Sequence, residues 1–403
     1  MVTEIAKESW RLPPLGKAEL GPFGDYPRLS DPDKQTVWKS YRAGSPGRTP
    51  VLLATNNRVF MQVPELNAPG LDYREVFSSP EAMLLAQLWH QYVARMRHHL
   101  FCDYETNLPD VWKVSTHYQN VYEAAFFGAP IEFRGTQVPD TTPPYAGERR
   151  NEVFEIDIEH PTEKGFFRGG IDMTHAMERA ARGKTFWGRP IQVDPFLPIG
   201  TDGPLTVAMN VRGPEILTDL MEDPGYAQRL FDFVVTAALK RHHAFRSYWG
   251  VEATPEEGVG MADDSIALIG PSQYREWILP HHRKWYQALD PQGLRPRSIH
   301  LCGNAQRHFR TIHDELGVKS FDTGFPVDFA GLRRDLGPAV EVQGGVEVGL
   351  LLSGTPDAVS RRARAILDSG IREGGRFVLR EANNLPPAVP WANLAAMYRA
   401  VFD

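Results

Sequence analysis

Residues 297–304 read Arg-Ser-Ile-His-Leu-Cys-Gly-Asn, and the reading of this stretch decides the fold. It predicts a short β-strand that ends in a small-residue turn and hands over to a helix beginning near Ala305. That is the strand-to-helix junction at which α/β folds place their chemistry. Residues two apart in a strand point to the same side, so His300 and Cys302 face one spot together. An imidazole and a thiol converging there are zinc-ligand types, and Gly303 lets the backbone leave the site tightly. The pair alone is also compatible with a buried cysteine packing as a small hydrophobe beside a satisfied histidine. The rest of the chain decides between them.

Working outward, strand and helix patterns alternate on both sides of this junction. Before it, residues 204–210 (PLTVAMN) predict a strand, 214–221 and 223–248 helices, 258–264 (GVGMADD) a strand, and 270–289 a helix. After it come a helix at 305–316, a strand at 320–322, a helix at 327–336, and a strand at 340–344. A helix at 355–370, a strand at 376–380 and a helix at 391–402 complete the series. Toward the N-terminus, 48–55 (RTPVLLAT) has the compact apolar run of a first strand, and 79–99 opens Ser-Pro-Glu and continues at helical spacing. Residues 120–128 predict a helix, 129–133 a strand, and 171–182 another helix, whereas 134–168 predict a long surface excursion.

This alternation is the signature of parallel βαβ units. No Gly-x-Gly-x-x-Gly follows any strand, so a (β/α)8 TIM barrel fits better than a doubly wound sheet. The domain expectation is an irregular extension over residues 1–47 followed by one barrel over 48–403. In such a barrel the strand C-termini bring Asp263 and Asp264, His300 and Cys302, Asp322, Glu347 after its Gly-Gly turn, and Glu381 and Asn383 to one face. Asp263 and Asp264 are candidate acids, because adjacent like charges raise one pKa, and Glu347 is a third candidate catalytic carboxylate.

Composition bounds the partners. The chain has 403 residues, 42% apolar and 11% aromatic, enough for a large core. A net charge of −6 without any Lys/Arg run argues against nucleic acid or an anionic membrane surface and for small molecules or proteins. Two cysteines, Cys102 and Cys302, make no disulfide framework, and neither a signal-type segment nor a spanning apolar run is present, so a cytoplasmic enzyme is expected. Gly183-Lys184-Thr185 is not a phosphate loop, since the motif needs glycine at 178, where the chain has Glu178. The doublets 98–99, 242–243 and 281–282 are helical histidines rather than metal clusters.

Several stretches together resemble the uroporphyrinogen decarboxylase superfamily, specifically its cobalamin-dependent methyltransferase branch. They are 203–208 followed by Arg212-Gly-Pro-Glu215, Asp263-Asp264 leading to 272–280, His300-Leu-Cys-Gly-Asn304, Gly344-Gly-Val-Glu347 with 351–356, and 383–387 ahead of Pro390-Trp-Ala-Asn-Leu394. The resemblance runs over 195–403 and implies one deep pocket at the strand C-termini. It implies zinc on the His-x-Cys pair and on a later cysteine of the last strand, with a corrinoid carried by a partner protein. His300 and Cys302 match; the later cysteine does not, its place being held by Asn383 or a neighbour. An oxygen donor, Glu381 or Asp264, would then complete the set, giving a harder metal. The methyl substrate would be small, a methyl ether being one class. The decarboxylase branch implies a metal-free alternative acting on a carboxylated molecule, but its Arg-Gln-Ala-Gly-Arg motif is absent.

Overall fold

The computed structural model describes residues 28–402. Of the expected 1–47 extension, residues 1–27 therefore lie outside the described part. The remainder is less irregular than expected: Asp31–Arg42 is a helix capped by Ser30. It is tied down by Asp31, whose carboxylate accepts the Thr106 and Asn107 amides at 2.8 Å each, and by Tyr41, which donates to Glu341 at 2.8 Å.

Ten strands follow among the described residues. β1 (Trp112–Val114), β4 (Thr185–Phe186) and β5 (Arg189–Val193) form a small sheet, and β2 (Ile131–Arg134) and β3 (Gln137–Thr141) form a hairpin. β6 (Val259–Ala262), β7 (Arg297–Leu301), β8 (Ser320–Thr323), β9 (Glu341–Glu347) and β10 (Phe377–Ala382) form the central sheet, in the order β10-β9-β8-β7-β6, all parallel. A helical crossover separates each of these strands from the next, as parallel pairing requires.

Both edges of this sheet are extended by one bridge. Val51 lies beside Leu379 of β10, with Leu52 N–H donating to the Leu379 carbonyl at 3.0 Å, and Asp202 lies beside Ala262 of β6. The first extended segment thus neighbours the last strand. Among the described residues the ladder stays open between the Val51 and Asp202 edges, so what is seen is a mixed α/β fold around a parallel sheet and not a closed eight-stranded ring.

One element differs in kind from its expectation. Residues 204–210 were expected as a strand, but Pro204–Arg212 is a helix. The apolar run Leu205, Val207, Ala208 suits either state; the decision comes from Pro204 at the first helical position and from the distant Asp263 carboxylate, which accepts the Thr206 amide at 2.8 Å and the Leu205 amide at 3.4 Å. The extended segment falls just upstream instead, where the Ala262 amide donates to the Thr201 carbonyl at 3.1 Å. The 134–168 stretch also departs from a mere surface excursion. Tyr145, Val153 and Ile158 are buried, and the buried Arg212 guanidinium donates to the Tyr145 and Gly147 carbonyls at 3.1 and 3.0 Å.

Two apolar clusters hold the molecule together. The larger surrounds the central sheet and its helices, including Pro224–Trp249, which ends on Gly250 at φ +63°. The other gathers Trp89, Trp112, Phe167 and Phe186 around the helix Pro80–Met96. No described helix is long and apolar enough to cross a membrane.

Candidate metal centre

Strand β7 delivers its residues as the alternation requires. Ile299 and Leu301 are buried in the core, while His300 and Cys302 turn the other way and remain partly exposed. Gly303 takes φ +69°, which lets the chain leave β7 at once. The next strand exit packs directly against this turn: a Cβ on Gly324 would meet the Gly303 nitrogen at 2.6 Å and the Cys302 Cα at 2.7 Å. In the register of the sheet His300 lies opposite Asp322 of β8 and Ala262 of β6, two residues before Asp264. Three adjacent strands therefore present carboxylate, imidazole and carboxylate side by side at one end.

The contacts are specific. Asp322 Oδ2 lies 2.7 Å from His300 Nδ1, His300 Nε2 lies 3.0 Å from Cys302 Sγ, and the Cys302 amide donates to Asp264 Oδ1 at 2.7 Å. Asp322 is itself held by Arg380 of β10, whose Nη1 donates to the same oxygen at 2.7 Å, while Nη2 donates to Glu381 Oε1 at 3.0 Å and to the Asn383 carbonyl at 2.8 Å. Burial pushes the His300 pKa down, but the Asp322 hydrogen bond and the nearby thiol outweigh it and carry the group up to about 10. Burial raises the Cys302 thiol, with His300 working against the shift.

One ligand atom each of Asp264, His300 and Cys302 lies within 4.8 Å of the other two, the one such group among the described residues. Zinc bonds of about 2.0–2.3 Å at tetrahedral angles place neighbouring donors about 3.3–3.7 Å apart. The Nε2 to Sγ distance of 3.0 Å and the Nε2 to Asp264 Oδ1 distance of 4.0 Å bracket that spacing. With Asp322 accepting from Nδ1–H, Nε2 faces Cys302 Sγ and becomes a ligand when a metal displaces its proton, which gives the carboxylate–histidine–metal order of zinc sites. Sulfur, nitrogen and oxygen donors with a held imidazole fit zinc.

The other expected site residues take different places. Asp263 is fully buried; it caps the Pro204–Arg212 helix, accepts the Thr206 hydroxyl at 2.8 Å and lies 2.8 Å from His282 Nε2. Its lone pairs are committed to that framework. Glu347 ends β9 rather than standing on a loop, and both its oxygens accept from Arg362. Glu381 is outside the Asp264, His300, Cys302 group. It is buried under Arg380 and the Ala54 amide, which donates to it at 3.0 Å, and its Oε2 has no partner among the described residues. Burial lifts its pKa to about 7 against the opposing pull of Arg380. Asn383 adopts φ +116°, a strained turn for a non-glycine residue, just where β10 leaves the sheet.

Sequence reasoning placed Asp322 at this face without a role and passed over Arg380 and Asp202. An arginine inside the apolar run Phe-Val-Leu-Arg is the signal for Arg380, since a cation in a buried strand needs an acidic partner. Asp202 gave no such signal, because its strand was assigned to the residues after it.

Comparison with known proteins shows the family of the chain. Residues 198–403 match the family model described as uroporphyrinogen decarboxylase (URO-D). The chain is 28% identical over 213 residues to a methylated-thiol–coenzyme M methyltransferase of Methanosarcina mazei, covering 51% of this chain and 52% of that protein. It is 24% identical over 204 residues to a methylcobamide:CoM methyltransferase of the same organism, covering 48% and 54%. It is 28% identical over 150 residues to a uroporphyrinogen decarboxylase of Pelobacter propionicus, covering 37% and 42%. The matches thus span about half the length of these curated relatives. Among solved structures a methyltransferase from Methanosarcina mazei superposes with a TM-score of 0.61 at 17% identity, over 91% of this chain and 97% of that one, a likeness of fold.

Proposed function

This chain belongs to the uroporphyrinogen decarboxylase family, and from that premise we propose that it is a zinc-assisted methyltransferase. It moves a methyl group between a small substrate, a methyl ether being the class expected from the sequence, and a corrinoid carried by a partner protein. The observation that carries this reading is the convergence of Asp264, His300 and Cys302 donor atoms under an imidazole already held by Asp322. That both relatives named for methyl transfer are described as acting on coenzyme M or methylcobamide supports the choice of branch.

His300 Nε2, Cys302 Sγ and Asp264 Oδ1 hold the metal in this reading. When bound, zinc supplies a Lewis acid that stabilises the heteroatom from which a methyl group departs, or to which it is delivered. Asp322 keeps the proton of His300 on Nδ1 and so aims Nε2 at the donor group, and Arg380 keeps Asp322 in place. The Cys302 thiol gives up its proton on binding metal, against the burial that otherwise retains it. Asp264 takes a ligand's part rather than the acid's part expected from the sequence, while Asp263 caps the Pro204–Arg212 helix. A single thiolate with nitrogen and oxygen makes a harder metal than a two-thiolate site, which suits polarising an oxygen or nitrogen more than activating a thiol. A reducing cytoplasm, which keeps Cys302 a thiol, and a (β/α)8 ring closed between the Val51 and Asp202 edges complete the proposal.

Elemental analysis of the purified protein tests it. About one zinc per chain is expected, with a sharp loss in Cys302→Ser. A protein that takes up no stoichiometric metal when zinc is supplied would instead be read as a metal-free decarboxylase or lyase on a carboxylated small molecule.

A further inference from the structure

The extended segment that borders β6 ends in a carboxylate with nothing to do. The backbone of Asp202 is fully engaged: its amide donates to Glu123 Oε2 at 2.6 Å, and its carbonyl accepts the Thr201 hydroxyl at 2.7 Å. Its side chain, partly exposed, has no hydrogen bond or ion pair among the described residues. The bridge to Ala262 sets it at the strand end that carries Asp264 and, through the β6–β7 register, His300.

The cations nearby are already committed. Arg241 is buried against Glu123 at 2.6 Å and the Gly200 carbonyl at 3.1 Å, and Arg380 is divided between Asp322 and Glu381. Arg58, bonded to the Leu385 carbonyl, belongs to the opposite, β10 edge. One aromatic ring is tied to the same segment: the Tyr122 hydroxyl donates to the Gly200 carbonyl, two residues upstream of Asp202, at 3.4 Å. Its ring already receives one cation, with the Arg241 guanidinium 5.9 Å from the centroid.

We propose that Asp202 selects the substrate of this site by charge: the pocket takes a small methyl compound whose methylated heteroatom carries a positive charge, an ammonium or a sulfonium, ahead of its uncharged isostere. The proposal rests on the methyl-transfer reading and narrows its substrate class. A carboxylate without a partner, set among the Glu123, Asp263 and Asp264 carboxylates, is relieved of their repulsion by a cation that brings no hydrogen-bonding demands of its own. Burial first, and then the Glu123, Asp264 and Asp263 carboxylates, hold the Asp202 pKa well above the usual range, with His300 pulling the other way; a seated cation reverses that shift.

Titration calorimetry with choline and with 3,3-dimethylbutan-1-ol, in which carbon replaces the quaternary nitrogen, tests the assignment on the full chain. Wild type is expected to bind choline about tenfold more tightly than the alcohol, and Asp202→Asn to bind the two alike while its zinc content and melting temperature stay at the wild-type level. Equal binding by wild type, binding of neither probe, or a preference that survives in Asp202→Asn overturns the proposal. Zinc content separates the two ideas: a metal-free protein that still prefers choline loses the methyl-transfer reading and keeps the charge selection, and a zinc protein indifferent to charge does the reverse.

Discussion

Asp322 and Arg380 are not themselves expected ligands, yet they decide how His300 is presented. Replacing Asp322 by Asn keeps the shape and removes the charge that orients the imidazole, so zinc affinity is expected to fall about 10–100-fold, read by competition with a chromophoric chelator. Retention of wild-type affinity would mean that the carboxylate only satisfies Arg380. The neighbouring pair Asp263 and Asp264 separates structure from function at adjacent positions. Asp263→Ala uncaps a helix and strands the buried His282 nitrogen, at a cost of about 3 kcal/mol in urea unfolding. Asp264→Ala, at a half-exposed side chain, is expected to cost less than about 1 kcal/mol and to take metal binding with it. The reverse pattern would show that the two roles have been exchanged. Sequence spacing put both residues at the same strand end but could not tell them apart, because the difference lies in which one meets Thr206 and which one meets the Cys302 amide.

Elements show the same division between local and distant causes. The helix Pro80–Met96 was legible because Ser79, Pro80 and the apolar spacing are all local, whereas Pro204–Arg212 was misread as a strand because its cap comes from Asp263, far along the chain. The glycines of β9 are similarly silent until the sheet is assembled. A Cβ on Gly345 would stand 2.1 Å from the Arg380 carbonyl oxygen, so β9 and β10 pair closely only with glycine there. Gly345→Ala is expected to destabilise the protein by about 2 kcal/mol in urea unfolding and, by moving β10, to loosen Arg380 from Asp322. An unchanged unfolding midpoint would show that the two strands can separate without consequence.

For the whole molecule, the buried carboxyl of Glu381 ties stability to pH. Its pKa is raised from an ordinary 4.5 to about 7 in the folded protein, so the folded chain keeps a proton that the unfolded chain has already released across that window. Stability is therefore expected to fall as pH rises from about 4.5 to 7, by up to about 3 kcal/mol, and to be flat in this respect on either side. Urea unfolding at about pH 5 and pH 8 should show a smaller loss in Glu381→Gln than in wild type; equal losses would assign the dependence to other groups.

Much of this protein is decided by the sequence alone. The strand and helix periods of its second half, the parallel βαβ order, and the meeting of His300 with Cys302 follow from local alternation and from the residues that start and stop elements. The same reading located the strands of the central sheet, though β9 and β10 run two or three residues beyond their expected ends, to Glu347 and Ala382. Only the tertiary structure decided which carboxylate serves which purpose: Asp263 a helix, Asp264 the candidate metal, Asp322 the imidazole, Glu381 the Arg380 guanidinium, and Asp202 none of them. These residues are chemically alike and all lie at one end of one sheet. What distinguishes them is the neighbour each finds across strands that are distant in the chain, and pairing register and burial, rather than residue type, set that neighbour.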